Sequence, residues 1–389
     1  MHACYFLGSG LHTSLGADVS SQLAALQLPP SAPQTITVDY AGKQQTLPYK
    51  MLVNNSSADA GQRLNSVIDT VINTAMASAR LHAQERQAMG LFLGTSSFDI
   101  SISEQEYRQD LMHDTQAIAM KTFSSQGILG DHIRHRHGLR GPLFSFNTAC
   151  TASANALMYA DAMIRSGRLQ HALVLGIELC NSITALGFHG LQLLTSNTMK
   201  PFDKARNGLV LGEGCAALVL GNRKSSQYTW QLKGSANICD THSVSATNPD
   251  GSVVRQVIHD ALQSARLTAD DIGAIKVHGT ASLLNDEAEA AGMKRVFVTM
   301  PPLTAIKPFI GHTLGACGLN ELLLFCAAAD QGFLIATPGI GNNHDTNGDS
   351  ALGISLNQCM CELPPGNFLM NYFGFGGNNT ALIVSNLRD

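Results

Sequence analysis

Three observations predict an α/β fold made of two similar halves. Short apolar segments of the buried-strand kind alternate with helical segments along the whole chain, which implies layering around mostly parallel strands. The length of 389 residues exceeds what one simple core accommodates. In each half, a loop rich in Gly, His or Thr follows a buried strand, where open α/β sheets build their sites. The halves are expected at residues 1–224 and 225–389, parted by the polar turn at 222–226. The repeated loop placement suggests an old duplication, although no residue-level repeat accompanies it.

Composition narrows the function. Hydrophobic residues make up 44% and charged residues 14%, a well-buried globular balance. The net charge is −4 with no long basic run, so no nucleic-acid footprint is visible. Nine scattered cysteines without a Cys-x-x-Cys pair suit reduced thiols. The first residues lack a basic segment and a long apolar core, and no window reaches the length of a membrane span. An intracellular, cytoplasmic protein is expected.

Taken in order, residues 3–7 form a strand, because they are apolar and end in a Gly8/Gly10 turn. Residues 20–28 are helical. Residues 29–55 are polar, contain proline and are weakly periodic, which predicts a surface excursion. The apolar spacing over 63–81 predicts a long amphipathic helix. A strand at 89–94 leads into Thr95-Ser96-Ser97. Residues 104–133 are largely helical and end in Asp131-His-Ile-Arg-His-Arg-His-Gly138. There His132, His135 and His137 suggest a metal, but no cysteine or carboxylate cluster completes a site. A solvated helix end, with basic groups favoured by the dipole, accounts better for them. A buried strand at 171–176 and a bulged or paired strand over 209–220 close the first half. The second half reads as strand from 228 to 238, helix 253–265, strand 272–277, helix 286–296 and short strand 304–307. A helix to about 329 follows, then strands at 351–356, 368–373 and 381–385.

The chain is organised around residues 144–157. A buried strand passes into a helix with Cys150 at the junction. A thiol at a helix N-terminus feels the positive end of the dipole, which lowers its pKa. Ala149, Thr151, Ala152 and Ser153 leave room for a substrate. A buried structural cysteine fits this stretch equally well. Three further loops carry reactive groups. His278-Gly-Thr follows a strand. Lys307 and His312 precede a glycine-flanked helix start. Gly374-Phe-Gly-Gly377 can aim backbone amides at an oxyanion. A thiol, two imidazoles and an amide-lined hole, without a triad aspartate, point to hydrogen-bond donation and proton handling, not simple hydrolysis.

These loops, in this order, resemble the elongating β-ketoacyl-acyl carrier protein synthases of the thiolase superfamily. The stretch Gly141-Pro-Leu-Phe-Ser-Phe-Asn-Thr-Ala-Cys150-Thr-Ala-Ser is similar to the family's active-site signature. His278-Gly-Thr and residues 307–318 match its two histidine motifs. Pro201-Phe-Asp-Lys-Ala-Arg-Asn-Gly208, Gly212-Glu-Gly214 and Gly374-Phe-Gly-Gly377 match its other fixed loops. The resemblance implies a thiolase-like, five-layered α-β-α-β-α fold and a dimer, either homomeric or with a synthase-like sister subunit. It implies that Cys150 takes an acyl chain from a carrier protein's phosphopantetheine arm. His278 and His312 would promote decarboxylation of malonyl-carrier protein. The amides of Cys150 and Phe375 would form the oxyanion hole, with the Phe375 ring as a gate. Lys307, paired with Glu321, would order the site, and Thr280 and Ser282 would bind the pantetheine arm. No metal or organic cofactor is implied.

The sequence also departs from the family pattern. Ser282 stands where threonine is usual, Asn207 replaces an aspartate, and Thr95-Ser96-Ser97 replaces a glycine-richer loop. These changes speak against housekeeping fatty acid synthesis and point toward a dedicated type II pathway, such as aryl polyene or polyketide synthesis. A degradative thiolase would carry a second cysteine near residues 374–377, where none stands. Initiating and chalcone-type synthases lack the second histidine. A non-catalytic chain-length subunit would lack the nucleophile.

Overall fold

Ten strands form the frame of the computed structural model, which describes residues 3–40, 42–53, 59–113, 125–224, 229–243, 247–337 and 352–386. The first five are β1 (Tyr5–Thr13), β2 (Gly90–Gly94), β3 (Leu143–Phe146), β4 (His171–Glu178) and β5 (Gly214–Gly221). The second five are β6 (Trp230–Cys239), β7 (Ile272–Lys276), β8 (Leu303–Thr304), β9 (Asn367–Phe373) and β10 (Asn378–Asn386). The spatial order is β3-β2-β4-β5-β1 in the first set and β8-β7-β9-β10-β6 in the second. In each set the first three strands pair in parallel and the last two join antiparallel. Strand order and direction therefore repeat, and the two sets touch at one pair, Tyr5–Gln231.

Five helices complete the layers: α1 (Ala60–Ala79), α2 (Ala152–Arg165), α3 (Ser252–Ala265), α4 (Leu283–Lys294) and α5 (Cys317–Asp330). Helix α1 covers the outer face of the first set by packing on β1 and β5. Its Leu64, Val67, Ile68, Val71, Ile72 and Ala75 form one helical stripe and are all buried. Contact is close enough that a Cβ on Gly10 would lie 2.0 Å from the Val71 carbonyl oxygen. Helix α3 covers the second set in the same way. Helices α2 and α5 lie between the sets: α2 touches β2 and β4 on one side and β6 and β10 on the other. Phe325 of α5 packs against Trp230 and Phe368. Three apolar cores fill the spaces between layers. Single strands feed two of them by period-2 alternation: on β4, Ala172 and Val174 enter the central core and Leu173, Leu175 and Ile177 the outer one.

The same junction appears twice. After β3, Ala149 takes a positive φ of 50°, one 3-10 turn follows (Ala149–Thr151), and α2 begins. Past β8, Leu314 takes a φ of 41°, a 3-10 turn follows (Leu314–Ala316), and α5 begins. Both helices run 14 residues.

Several local expectations are corrected. The supposed surface excursion contains a hairpin, Gln34–Tyr40 with Lys43–Lys50, whose end pairs in parallel with Leu211–Gly212. Its strand alternation was masked because mostly polar side chains stand on both faces. The helical stretch from 104 is two helices, Ile100–His113 and Gln126–Arg136, and residues 114–124 lie outside the described residues. Lys307 opens a short helix, Lys307–Ile310, after a strand of only Leu303–Thr304. The described part of 351–356 is a turn with one bridge, Leu303–Leu356, and Ala351 lies outside the described residues. So do positions 225 and 226 of the expected boundary. The helix Ser182–Gly190 was not anticipated. The histidines of 132–137 hold protein partners. His132 meets Asn65 at 2.7 Å, His135 the Asp131 carbonyl at 2.7 Å, and His137 Asp69 at 3.1 Å.

Candidate active site

Cys150 sits in the 3-10 turn at the head of α2, with its approach set by the left-handed Ala149. Small side chains make that backbone tolerable. An amide network behind it ties the two halves together. Asn155 donates to Thr148 and to Asn378, while Asn237 donates to Asn155, Asn378 and Thr380. The loop that carries the nucleophile candidate is thus fixed by residues of β6 and β10.

The expectation of a dipole-lowered thiol is overturned. Burial pushes the Cys150 pKa up to about 11, against the pull of the Lys307 charge and the backbone N–H groups of Phe375 and of Cys150 itself. The dipole argument weighs one helix end and ignores desolvation, which dominates for a fully enclosed group. A protonated thiol therefore faces His312, whose Nε2 lies 3.0 Å from Sγ.

His278 follows the end of β7. Gly279 and Ala281 then take φ values of 50° and 60°. The amides freed by this turn are caught by buried carboxylates of α4. Glu289 accepts from His278 and Gly279 at 2.7 and 2.9 Å, and Asp286 accepts from Thr280 at 3.1 Å. The imidazoles of His278 and His312 stand edge to face, 5.7 Å apart. Burial holds both well below the ordinary histidine range, helped by Lys307 and Lys276 for each ring. Both are neutral at physiological pH.

Lys307 Nζ donates to the His278 carbonyl at 2.7 Å and lies 3.3 Å from its Nδ1. A donor at Nδ1 leaves the ring proton on Nε2. Lys307 also pairs with Glu321 at 2.7 Å. Burial opposes the lysine's charge, but Glu321 and the neighbouring thiols outweigh it, so its pKa is raised.

Cys150, His278, His312, Thr280, Ser282 and Phe375 line one cavity of about 250 Å³, together with Asn207. Thr280 and Ser282 share a hydrogen bond of 2.9 Å at its wall. Lys307 and Glu321 stand behind this lining. The Phe375 ring stacks on Phe188 from the unanticipated helix, centroids 5.7 Å apart and planes 10° apart.

Sequence reasoning assigned no role to four buried groups. Glu178 ends β4 and accepts from the backbone of Ser96, Ser97 and Gly315. Burial raises its pKa to about 7. Glu289 and Asp286 hold the His278 loop. Lys276 pairs with the second oxygen of Glu321 at 2.7 Å. An uncapped strand-to-helix turn needs acceptors for its amides. That requirement is the signal that could have pointed to the acids of α4.

Residues 25–226 match the family model described as "Beta-ketoacyl synthase, N-terminal domain", and residues 230–340 match its "C-terminal domain". The chain belongs to the β-ketoacyl synthase family. A tetracenomycin polyketide synthase ketoacyl synthase alpha subunit from Streptomyces glaucescens is 29% identical over 267 residues, 65% of this chain and 62% of that protein. The chloroplastic 3-oxoacyl-[acyl-carrier-protein] synthase I of Arabidopsis thaliana is 30% identical over 263 residues, 64% of this chain and 54% of that one. The matches thus span between about half and two thirds of these curated relatives. Among solved structures, the ketosynthase ApeO in complex with its chain length factor ApeC from Xenorhabdus doucetiae superposes with a TM-score of 0.82. It is 23% identical, covering 99% of this chain and 98% of that chain. The thiolase-like architecture follows from that likeness.

Proposed function

We propose that the protein is a 3-oxoacyl-acyl carrier protein synthase working by decarboxylative Claisen condensation. The observation that carries this reading is the thiol of Cys150 at 3.0 Å from His312, with His278 beside it and Lys307 behind. The Cys150 thiol passes its proton to the neighbouring His312 as its sulfur attacks an acyl thioester; the proton leaves on the carrier thiol, and the acyl group stays on the Cys150 sulfur. A malonyl thioester then loses CO2. Its enolate oxygen takes hydrogen bonds from the imidazole N–H groups, which a dry pocket makes strong. The enolate carbon attacks the Cys150 thioester, whose oxygen is held by the amides of Cys150 and Phe375. Collapse frees the Cys150 thiolate, and the chain leaves on the malonyl carrier, longer by two carbons.

The substrates bring their own phosphopantetheine, with Thr280 and Ser282 placed to bind it, so no metal or organic cofactor enters the scheme. The partners in this reading are an acyl carrier protein and a second synthase-like subunit, identical or related. The division of labour follows the repeat: residues 1–224 carry the nucleophile, and 225–389 carry the histidines and the glycine loop. Asn207 at the cavity and the Thr95-Ser96-Ser97 loop favour a dedicated polyene or polyketide pathway. Among the described residues no helix is long and apolar enough to cross a membrane. A chain-length role without catalysis is the second reading, and the assembled Cys150, His278 and His312 disfavour it.

The test is intact-mass detection of extended chains, using malonyl-carrier protein and saturated, conjugated or aryl acyl-carrier proteins. Extension only of conjugated or aryl chains is expected. Absence of any Cys150 acylation overturns the synthase reading. Lys307→Ala offers a finer check. Lys276 keeps Glu321 paired in this variant, so the fold survives. CO2 release is expected to drop about 10²-fold while acyl transfer to Cys150 drops much less. Equal loss of both steps would remove Lys307 from the decarboxylation site.

A further inference from the structure

We infer that Lys276 is a positioning residue of the decarboxylation step: by holding the second oxygen of Glu321 it adds a buried positive charge beside His278 and His312 and keeps both imidazoles as neutral N–H donors. This rests on the condensing reading above.

Lys276 ends β7 two residues before His278, and the alternation that puts Ile275 and Val277 in the core under α3 turns both side chains the other way, toward the central helices. It is fully buried. Its ammonium meets Glu321 Oε2 at 2.7 Å, the Asn371 carbonyl at 2.7 Å and the face of Tyr372 at 3.5 Å. Three donors thus have three acceptors. Lys276 is absent from the cavity lining, so it reaches the reaction only through its neighbours.

The charges around the imidazoles can be counted element by element. Lys276 comes from β7, Lys307 from the short helix after β8, and Glu321 and Cys317 from α5. Tyr372 comes from β9, Cys150 from the head of α2, Glu178 from β4, and Glu289 and Asp286 from α4. Glu321 bridges the two lysines, Oε1 to Lys307 and Oε2 to Lys276, each at 2.7 Å. Glu289, Asp286 and Glu178 are directed instead at backbone amides. Among the side chains that pair directly with the lysines, one carboxylate faces two ammonium groups, an excess of one positive charge, while Glu289, which Lys276 also influences, is held by the His278 and Gly279 amides. Both lysines act to lower the proton affinity of each ring, adding to burial.

The consequence is chemical. An imidazolium would hold the malonyl carboxylate that must leave, stabilising the ground state. A neutral N–H donor serves the enolate oxygen that develops as CO2 departs. Neutral rings are active, so activity is kept above their pKa and lost as pH falls through it. Removing a nearby cation raises that pKa and moves the acid limb upward.

The test compares wild type with Lys276→Met, which keeps the length of the stem and leaves Glu321 paired with Lys307. CO2 release from malonyl-carrier protein and alkylation of Cys150 by iodoacetamide are each followed against pH. The acid limb of CO2 release is expected to rise by about one pH unit. The Cys150 alkylation profile is expected to move much less, since Lys307 is the cation that acts most on that thiol. The double variant Lys276→Met/Glu321→Gln restores the charge excess of one and should return the limb to its wild-type position. It also carries the test if the single variant fails to fold. A uniform loss of rate with an unmoved limb, or a displaced limb in the double variant, overturns the inference while leaving the synthase reading intact. A wild-type protein that releases no CO2 overturns both.

Discussion

Cys150→Ala is expected to abolish chain extension while leaving the protein folded. The thiol is enclosed and sits in the central core, but alanine keeps the β-carbon and removes one sulfur. The cavity created is small, and the amide network that fixes the loop involves Asn155, Asn237 and Asn378, not the sulfur. Stability should change by about 1 kcal/mol or less, far below the effect on activity. Extension should fall at least 10³-fold, because among the described residues Cys150 is the thiol that stands 3.0 Å from His312 in the cavity to accept the acyl chain. Intact-mass analysis after incubation with acyl-carrier protein would read this directly. A variant that still extends chains would require another nucleophile. CO2 release from malonyl-carrier protein should persist, since both imidazoles and Lys307 are untouched.

Glu321→Ala should have the largest effect on stability. Two lysines, fully enclosed, share this carboxylate. Its loss strands two ammonium groups among apolar layers, with Lys276 left to the Asn371 carbonyl and the Tyr372 face, and Lys307 to His278. Breaking a single buried pair costs about 3–5 kcal/mol, and here one deletion breaks two. Chemical denaturation is expected to give at least that loss, or no folded protein at all. A change of about 1 kcal/mol would mean that the lysines discharge readily and that the network carries little charge. Lys276 is placed to do so first, since burial has already pulled its pKa down to about 8.

The reactive residues were legible because each sits in a short local pattern. Cys150 marks a strand-to-helix junction, His278 a strand end, and Gly374 to Gly377 a loop of amides. Their supporting residues were not. Lys276 reads as an ordinary strand lysine until Glu321, 45 residues on, is seen against it. Glu289 and Asp286 look like solvent-facing helix acids, yet they are needed because the Gly279 and Ala281 turn leaves amides without partners. Much of the strand and helix alternation was visible, but the matching order of the two sets was not, since order is a property of pairing between distant segments. The hairpin at 34–50 was hidden by polar side chains. The thiol's pKa was misjudged because a dipole can be read from sequence and burial cannot.

The twin junctions at Ala149 and Leu314 have unequal chemical futures. Position 315 is to the second half what position 150 is to the first: the middle residue of the same turn. A glycine occupies it, its amide is committed to Glu178, and a Cβ there would lie 2.4 Å from the backbone nitrogen of Ser96. No point substitution can install a rival nucleophile in that turn without displacing the clamp that supports it. The repeat of strand order and turn is thus broken at this one position. Variation is channelled to the walls of a single chamber, so such a scaffold diversifies its substrates and not its number of reaction centres.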